Sequence, residues 1–300
     1  MGRAIPFIIT LFLVANLSAE DLDAHSPCGD GYSFKGLSVF VDAGVTRVNN
    51  FHANFYNGAE TNANTIYRVM HSEGYGQQIW NDLVSQSLIS PSAIQNYKQL
   101  EVLEYADMFY KLSTQIGLGF RYDFDCGLGW LVRFDLMELD AVGGFNISSR
   151  NGTGIMTNQN QYIRCGVVGR EKRINIDFGV THRFNRNRIF EWEVDLGCNI
   201  NNVSVLSNDI EVAGRRYNIL DVWDDMGPGY YNEPMGYINQ GGVGLGGFAT
   251  ISTCYKMMGS AIAVGYTCYY TKIRLDGYES YASQHNFFVR FELNKFSFFE

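Results

Sequence analysis

The feature that most constrains the fold of this chain is a set of eight segments in which apolar and polar residues alternate with a period of two. In one of them, Leu128, Trp130 and Val132 occupy one face, and Arg133 and Asp135 occupy the other. This period places successive side chains on opposite faces of a β-strand. The eight segments are residues 37–46, 112–123, 128–137, 173–181, 190–201, 242–252, 261–270 and 286–294. Because strands of ordinary sheets are mostly about five or six residues long, the pattern predicts an all-β fold with unusually long strands.

The polar faces of these segments carry charges of both signs and almost no lysine. Arginine suits an enclosed, ion-paired interior because its planar guanidinium can satisfy several carboxylate oxygens at once. We therefore expect the polar faces to line a lumen and the apolar faces to contact lipid; Arg183 lies on the same polar face. The expected lumen ion pairs involve Asp42, Arg121, Asp123, Arg133, Asp135, Arg173, Asp177, Glu191, Glu193, Asp195, Arg290 and Glu292. The competing fold is a soluble secreted sandwich, whose polar strand faces contact water.

The connections between the predicted strands alternate between short and long. Three of them have about four residues, at 124–127, 185–188 and 256–259. The long connections are residues 49–110, 140–172, 203–240 and 274–284. Outer-membrane barrels combine an even number of strands with short periplasmic turns and long extracellular loops. The chain is therefore predicted to be an eight-stranded antiparallel transmembrane β-barrel with long extracellular loops.

In this arrangement, roughly residues 36–298 resemble the small eight-stranded outer-membrane barrels of Gram-negative bacteria, the class that contains OmpA- and OmpX-type barrels. The resemblance lies in strand number, strand length and loop alternation, and it includes no family-specific residue motif. It implies a location in the bacterial outer membrane, contact with outer-membrane lipid, and insertion by the barrel assembly machinery.

The start of the chain has the form of a secretory signal peptide. Arg3 precedes a mostly apolar run from Ile5 to Ala15, and Ser18 and Ala19 then precede the first acidic residues. A charged start, a short apolar run and small residues before a cleavage point are typical of such signals. We expect residues 1–19 to be the signal peptide, 20–35 a periplasmic segment, and 36–300 the barrel with its loops.

Composition and motif spacing exclude several classes of ligand. The net charge of −8 and the pI of about 5.2 argue against nucleic-acid binding. Residues 242–247 match G-x-G-x-x-G, but no helix follows them, so we expect no dinucleotide site and no other cofactor. One acidic loop is a weak Ca²⁺ candidate, a solvated loop being the alternative. Its acidic residues are Asp221, Asp224, Asp225 and Glu233.

The cysteines leave the disulfide pairing open. An exported chain can form disulfides, and Cys28 could pair with Cys126 or with Cys254, since all three fall on the periplasmic side. Cys198 and Cys268 share the apolar parity of their strands and are expected to act as small apolar side chains.

The predicted function is that of a non-enzymatic surface barrel. An eight-stranded barrel has an interior just wide enough to be filled by side chains, and long loops are usually functional. The first loop carries Tyr75, Trp80, Tyr97 and Tyr105. Aromatic residues of this kind are typical of binding surfaces, although they could instead pack within the loop itself. The expected partner is a surface ligand or another outer-membrane protein.

Two other functions remain open from the sequence. The first is a small channel or porin, if the lumen charges leave a continuous path. The second is a lipid-modifying enzyme built around His285, with Ser283, Ser280 and Glu279 as neighbours.

Overall fold

The computed structural model describes residues 36–62, 65–92, 94–124, 127–149, 162–184, 190–220, 240–257 and 260–294. Eleven strands, two α-helices and two 3₁₀ segments form within these ranges. The strands are β1 Gly36–Val48, β2 Leu100–Tyr105, β3 Phe109–Tyr110, β4 Ser113–Asp123, β5 Leu128–Ser149, β6 Ile163–Phe184, β7 Phe190–Val212, β8 Arg215–Asn218, β9 Val243–Met257, β10 Ser260–Ile273 and β11 Ser280–Asn294. The helices are α1 Ile66–His71 and α2 Tyr75–Ser85, and the 3₁₀ segments are Asn50–Tyr56 and Tyr97–Gln99.

Eight of the strands close into a ring. The order around the ring is β1, β4, β5, β6, β7, β9, β10 and β11, and β11 pairs again with β1. Every neighbouring pair in the ring is antiparallel. Each of the eight predicted segments lies on one of these strands, apart from single residues at the ends of two segments. The prediction of an eight-stranded antiparallel barrel is confirmed.

Three neighbouring strands are much longer than the sequence pattern predicted. Strands β5, β6 and β7 have 22, 22 and 23 residues and extend past the other strands at the end of the barrel that carries the long connections. Strands β2 and β3 pair with the extended part of β5, and β8 pairs with that of β7. The predicted loops 140–172 and 203–240 are therefore too long, because residues 140–149, 163–172 and 203–212 belong to strands. The connection predicted at 274–284 is also shorter, since β11 begins at Ser280.

The strand extensions were missed because the two faces of the sheet exchange polarity along each strand. On β5 the outward face is apolar as far as Leu136 and becomes charged at Glu138 and Asp140. The inward face changes in the opposite sense, since Leu139 and Ala141 are apolar and fully buried. The alternation thus continues with the faces reversed, and a search for one uninterrupted apolar face ends near residue 137.

A separate apolar core fills the space inside the extended strands. The residues that form this core and its cover, which we call the cap, are the described residues of 49–112 together with the extended parts of β5, β6 and β7, with β8 and with Leu275. Helix α1 contributes its buried face, and Thr65 caps its start by accepting a hydrogen bond from the Arg68 amide at 3.3 Å. The fully buried members of the core are Ala53, Phe55, Tyr56, Ile66, Val69, Met70, Ile79, Leu83, Ile94, Leu139, Ala141, Ile147, Val167, Val203, Ile210, Val212 and Leu275. Burying one large apolar side chain stabilises a fold by about 1.5–3 kcal/mol, so this core can hold the cap together as a folded unit.

The helices of the cap are short, with six residues in α1 and eleven in α2. Among the residues described, no helix is long and apolar enough to cross a bilayer.

Candidate functional site: the lumen and its cap

The outward face of the ring is a broad apolar belt that contains few polar side chains, such as His182 of β6 and Thr253 of β9. On β6 it runs from Ile174 to Phe184, ten steps of about 3.3 Å that span about 25 Å at a tilt of about 40°. Exposed apolar surface of this extent is rare on soluble monomers. The large exposed side chains of the belt are Leu37, Val45, Ile116, Leu118, Phe120, Leu128, Trp130, Phe134, Leu136, Ile174, Phe178, Val180, Phe184, Phe190, Trp192, Leu196, Val243, Leu245, Ile251, Tyr255, Ile262, Val264, Phe287 and Val289.

Aromatic residues mark the edge of the belt at the end with the short turns. Tyr122 packs against Trp130 and Phe124, with ring centroids 6.2 and 5.3 Å apart. On the other side of the ring, the ring centroids of Phe190 and Tyr255 lie 5.2 Å apart. Aromatic girdles at the membrane interfaces are a regular feature of outer-membrane barrels.

The lumen at the short-turn end holds a cluster of ion pairs between strands that are not neighbours. Arg183 of β6 donates to both carboxylate oxygens of Glu292 on β11, at 2.6 and 2.8 Å. Arg121 of β4 also donates to Glu292, at 3.0 Å, and to Glu193 of β7. The bonds of Arg183 and Arg121 cross the lumen. Lys256 of β9 adds an ion pair with Glu191 of the neighbouring strand β7, and together these groups fill the lower part of the lumen.

The middle of the lumen is occupied by two further arginines. Arg290 of β11 donates to Asp42 at 2.8 Å and to Glu193 at 2.8 Å. Its guanidinium lies 4.1 Å from the ring centroid of Phe40, a cation–π contact. Gly119 allows this placement, because a Cβ there would overlap the Phe40 ring.

Arg133 forms the second half of this middle cluster. It donates to Asp177 at 2.9 and 2.6 Å and to the Tyr269 hydroxyl at 2.8 Å. That hydroxyl in turn donates to Asp135 at 2.8 Å. Arg133 is fully buried, as are Arg121 and Arg290. Charged groups can be buried only when they are paired and hydrogen-bonded, so this part of the lumen is a packed ionic core.

The upper end of the lumen is closed by groups from the cap. Arg173 donates to Glu171 at 2.6 Å, and both lie on β6. The hydroxyls of Tyr56 and Tyr110, both from the long first connection, donate to Glu171 at 2.7 and 2.9 Å. Gly169 makes room for the ring of Tyr56, since a Cβ there would overlap it. The ionic core of the lumen thus passes directly into the apolar core of the cap.

All twelve residues expected in the lumen lie inside the ring and are buried. Arg183, noted on the polar face, lies there too. Two further lumen residues lie outside the predicted strands: Glu171 in a predicted loop and Lys256 in a predicted turn. Both face inward when the alternation of side chains is continued along the full length of β6 and β9.

The four aromatics that were predicted to form a binding surface mainly serve to build the cap. Tyr97 is buried in the cap core, and Tyr75, Trp80 and Tyr105 are partly buried and pack against it. The indole of Trp80 donates to the Ile94 carbonyl at 3.1 Å. Packing within the loop, the competing use of these residues, is therefore the one observed, because the apolar inner face of the strand extensions has to be covered.

The residues considered for hydrolytic chemistry do not meet at one site. Ser280 is hydrogen-bonded to His52, with 3.1 Å between Oγ and Nε2. His285 pairs instead with Tyr266, and Glu279 pairs with Lys272 at 3.2 Å. The candidate Ca²⁺ ligands Asp221, Asp224, Asp225 and Glu233 lie outside the described residues, and within them no cluster of metal-ligating side chains occurs.

The remaining sequence motifs have structural explanations. The glycines at 242–247 lead into and form part of β9, with no helix after them. Cys165, Cys198, Cys254 and Cys268 are free thiols, while Cys28 and Cys126 lie outside the described residues.

Comparison with known proteins gives structural similarity only. No protein-family model matches the chain, and no curated protein matches it. Among solved structures, Neisserial surface protein A is 8% identical, with a TM-score of 0.42, over 87% of this chain and 98% of that one. Ail, the attachment invasion locus protein of Yersinia pestis, is 10% identical with a TM-score of 0.33, over 86% and 99% of the two chains. The outer-membrane protein OprG from Pseudomonas aeruginosa is 8% identical with a TM-score of 0.39, over 89% and 100%.

The architecture follows from the ring of strands itself. A closed barrel leaves no backbone edge unpaired in lipid, which is why barrels can span a membrane. Here the ring is closed, its interior is charged and its outer belt is apolar. The chain is a small eight-stranded barrel of the outer-membrane type, and its predicted fold class and outer-membrane location are confirmed.

Proposed function

We propose that this protein is a non-enzymatic surface barrel that anchors a folded cap in the bacterial outer membrane, and that the outer face of the cap binds a partner. The barrel assembly machinery would insert it, as for other barrels of this architecture. The partner would be a surface ligand or another outer-membrane protein.

The observation that carries this proposal is the filled lumen beneath a folded cap. Arg121, Arg133 and Arg290 have no exposed surface. Arg121 and Arg290 pair across the lumen with Glu193, and Arg133 pairs with Asp177 of the neighbouring strand and reaches across the lumen to Tyr269. A diffusion channel needs a continuous aqueous path, and these groups occupy it. Conduction and lumen-based catalysis are therefore poorly supported. The cap, by contrast, is a large folded unit that is not required to form the barrel wall.

The outer face of the cap, rather than the aromatics in its core, is the better candidate for the contact surface. Phe109 of β3, Val142 of β5 and Val168 of β6 lie directly opposite one another in register. Phe109 is 51% exposed. Leu206 of β7, which is 49% exposed, lies nearer the membrane than this row, at the bulge in the β6–β7 pairing beside Arg170. Beyond this apolar row, toward the membrane, lie the charged positions Asp140 and Arg170, which also face each other. An apolar centre with a polar margin is typical of protein-binding surfaces.

The test is adhesion of cells that display the protein. Cells with the wild-type chain should adhere to at least one member of a panel of immobilised glycans and extracellular-matrix proteins. A Phe109→Ser/Leu206→Ser double variant should lose that adhesion by about tenfold or more, the effect of losing a hot spot. A Gln78→Ser variant, changed at an exposed position of α2, is the control and should adhere like the wild type.

Surface display of each variant is measured in parallel with an epitope-specific antibody. Adhesion that persists in the double variant, at equal display, would contradict the assignment of this surface.

A further inference from the structure

A small polar cluster lies at the edge of the apolar belt, at the end of the barrel with the long connections, far around the ring from the surface proposed above. Arg47 of β1 lies opposite His285 of β11, and His285 lies opposite Cys268 of β10. The row below it, toward the membrane centre, consists of Val45, Phe287 and Tyr266. On β1 and β11 the apolar belt therefore ends at Arg47 and His285. At this depth the acyl chains of a lipid give way to its headgroup.

Two members of the cluster are already joined. The Tyr266 hydroxyl and Nδ1 of His285 are hydrogen-bonded at 2.6 Å, and their rings are nearly parallel, 14° apart. If Tyr266 donates, His285 keeps an N–H at Nε2; if His285 donates, the hydroxyl proton of Tyr266 remains. In either tautomer, one donor of the pair is left for a ligand.

Arg47 supplies the charge. Its side chain is exposed, and within the described residues it has no carboxylate at ion-pair distance. Lys272 of β10 and Arg274, which follows that strand, differ from Arg47 because both pair with Glu279, at nitrogen–oxygen distances of 3.2 and 3.9 Å. An arginine fork next to an unused histidine or tyrosine donor fits the oxygens of a phosphate group.

We propose that Arg47, His285 and Tyr266 bind the phosphate of a membrane-lipid headgroup, whose acyl chains lie against Val45 and Phe287. This site is independent of the partner-binding surface on the cap. It assigns a binding role to His285, the residue that the sequence suggested as a catalytic centre. The other candidate groups of that centre are engaged elsewhere, Ser280 with His52 and Glu279 with Lys272.

The experiment measures lipid retention. The full chain is reconstituted in nanodiscs with equal amounts of phosphatidylglycerol and phosphatidylcholine, and the lipids that stay bound after release are counted by native mass spectrometry. We expect the wild type to retain phosphatidylglycerol preferentially, although its net charge of −8 disfavours nonspecific binding of an anionic lipid. Arg47→Gln should lower this preference on the order of tenfold, the usual effect of losing one charge-assisted hydrogen bond. Tyr266→Phe should lower it by a smaller factor.

The matched control is Arg216→Gln, which removes one positive charge from the cap, where Arg216 is 60% exposed and pairs with Glu211 at 3.6 Å. It should leave the preference unchanged. Folding of every variant is checked by heat-modifiable migration in phosphatidylcholine alone.

Three results would overturn the proposal. The first is a wild type that retains both lipids equally. The second is an Arg47→Gln variant that keeps the preference, which would make Arg47 only an interfacial anchor that extends to water. The third is displacement of the bound phosphatidylglycerol by inorganic phosphate, which would indicate a site for free anions rather than for lipid.

Discussion

Arg133 connects four strands of the barrel from one position on β5. It donates to Asp177 of β6 and to Tyr269 of β10, and it lies 3.8 Å from Asp42 of β1. Strand β6 is already paired with β5 through the backbone, whereas β10 and β1 are not, so the guanidinium links β5 to two strands with which it forms no backbone pairs. Residues of this kind set the cross-section of the lumen.

Replacing this guanidinium should destabilise the barrel strongly. Arg133→Met leaves buried carboxylates without their counter-charge, and breaking a buried pair in this way costs about 3–5 kcal/mol. The measurement is urea unfolding in lipid vesicles, followed by heat-modifiable migration. Arg216→Met is the control, because its ion pair with Glu211 is solvent-exposed and should contribute less than about 1 kcal/mol. Equal losses in the two variants would show that the lumen pairs are not a structural core.

His52 is a second residue whose environment gives a measurable effect. It lies in the cap, beyond the end of β1, and is almost fully buried. Burial, and then the positive charge of Arg173, lower its pKa from 6.5 to about 4. A lowered histidine pKa means that the folded cap favours the neutral ring. The resulting stabilisation is complete above about pH 6.5 and is lost as the pH falls toward 4.

The expected size of this effect is about 3 kcal/mol between pH 6.5 and 4, from about 1.4 kcal/mol per pKa unit. Proteolytic susceptibility of the cap across this range, in wild type and in His52→Gln, isolates the contribution of this group from other titrations. The variant should lose stability less steeply on acidification. His71→Gln, changed at a less buried histidine of α1, is the control and should lose stability with falling pH as steeply as the wild type. If His52→Gln also loses stability as steeply as the wild type, burial of neutral His52 is not the cause of the pH dependence.

At the scale of elements, the defining feature is the reversal of polarity along β5, β6 and β7. On β6 the outward residues Ile174 and Phe178 are apolar and exposed, whereas Arg170 and Lys172 on the same face begin a charged region. Inside, the change runs the other way, from the charged Arg173 to the buried apolar Val167. One strand therefore serves two environments, and the reversal marks the membrane boundary.

Two valines on this strand test where that boundary lies. Val180 and Val168 both face outward on β6, the first within the belt and the second beyond Arg170. Val180→Arg places a charge near the middle of the bilayer and should cost about 2–4 kcal/mol. Val168→Arg should cost under about 1 kcal/mol, as for substitutions near or beyond the interface. The comparison uses unfolding from lipid vesicles; similar costs would place the boundary elsewhere on β6.

The same reversal explains how far the sequence could predict the fold. The eight spanning strands were predictable, because apolar and polar residues that alternate over about ten positions are typical of a β-strand and of few other structures. The lumen residues, such as Arg133 and Asp177, could be identified from their alternation with apolar residues along each strand, without knowledge of the tertiary structure. The extensions were not predictable in this way, because Leu139 and Val167 have the parity of lumen residues. Recognising them as core requires knowing that residues 49–112 fold over them, a long-range contact that no local pattern encodes.

The role of the predicted loop aromatics was likewise beyond local pattern. Tyr97 and Trp80 look the same in sequence whether they face a partner or the cap core. Their burial depends on the apolar inner face of the β5–β7 extensions, which the sequence pattern predicts to be loop. The outward surface that remains, with Phe109 and Leu206, could be identified only after strand pairing was known.

At the scale of the whole molecule, two cores are joined at one point. The ionic core of the lumen and the apolar core of the cap meet at Glu171, through the hydroxyls of Tyr56 and Tyr110. The lower and middle ion pairs do not depend on this junction, since, among the described residues, the side chains of Arg121 and Arg290 pair with carboxylates of the ring strands. The lumen should therefore remain closed when the cap is removed.

Replacing residues 55–105 with a short Gly/Ser linker tests this independence. The shortened chain should still insert and show heat-modifiable migration, because the belt and the lower lumen are unchanged. Its residues 138–149 and 163–172 should become sensitive to protease, since their apolar inner faces lose their cover. In planar bilayers, neither the full chain nor the shortened chain should give steady conductance, because Arg121 and Arg290 still fill the lumen. Steady conductance by the full chain would favour a channel. Conductance by the shortened chain alone would show that the cap closes the lumen. Failure of the shortened chain to insert would show that the cap is part of the barrel fold.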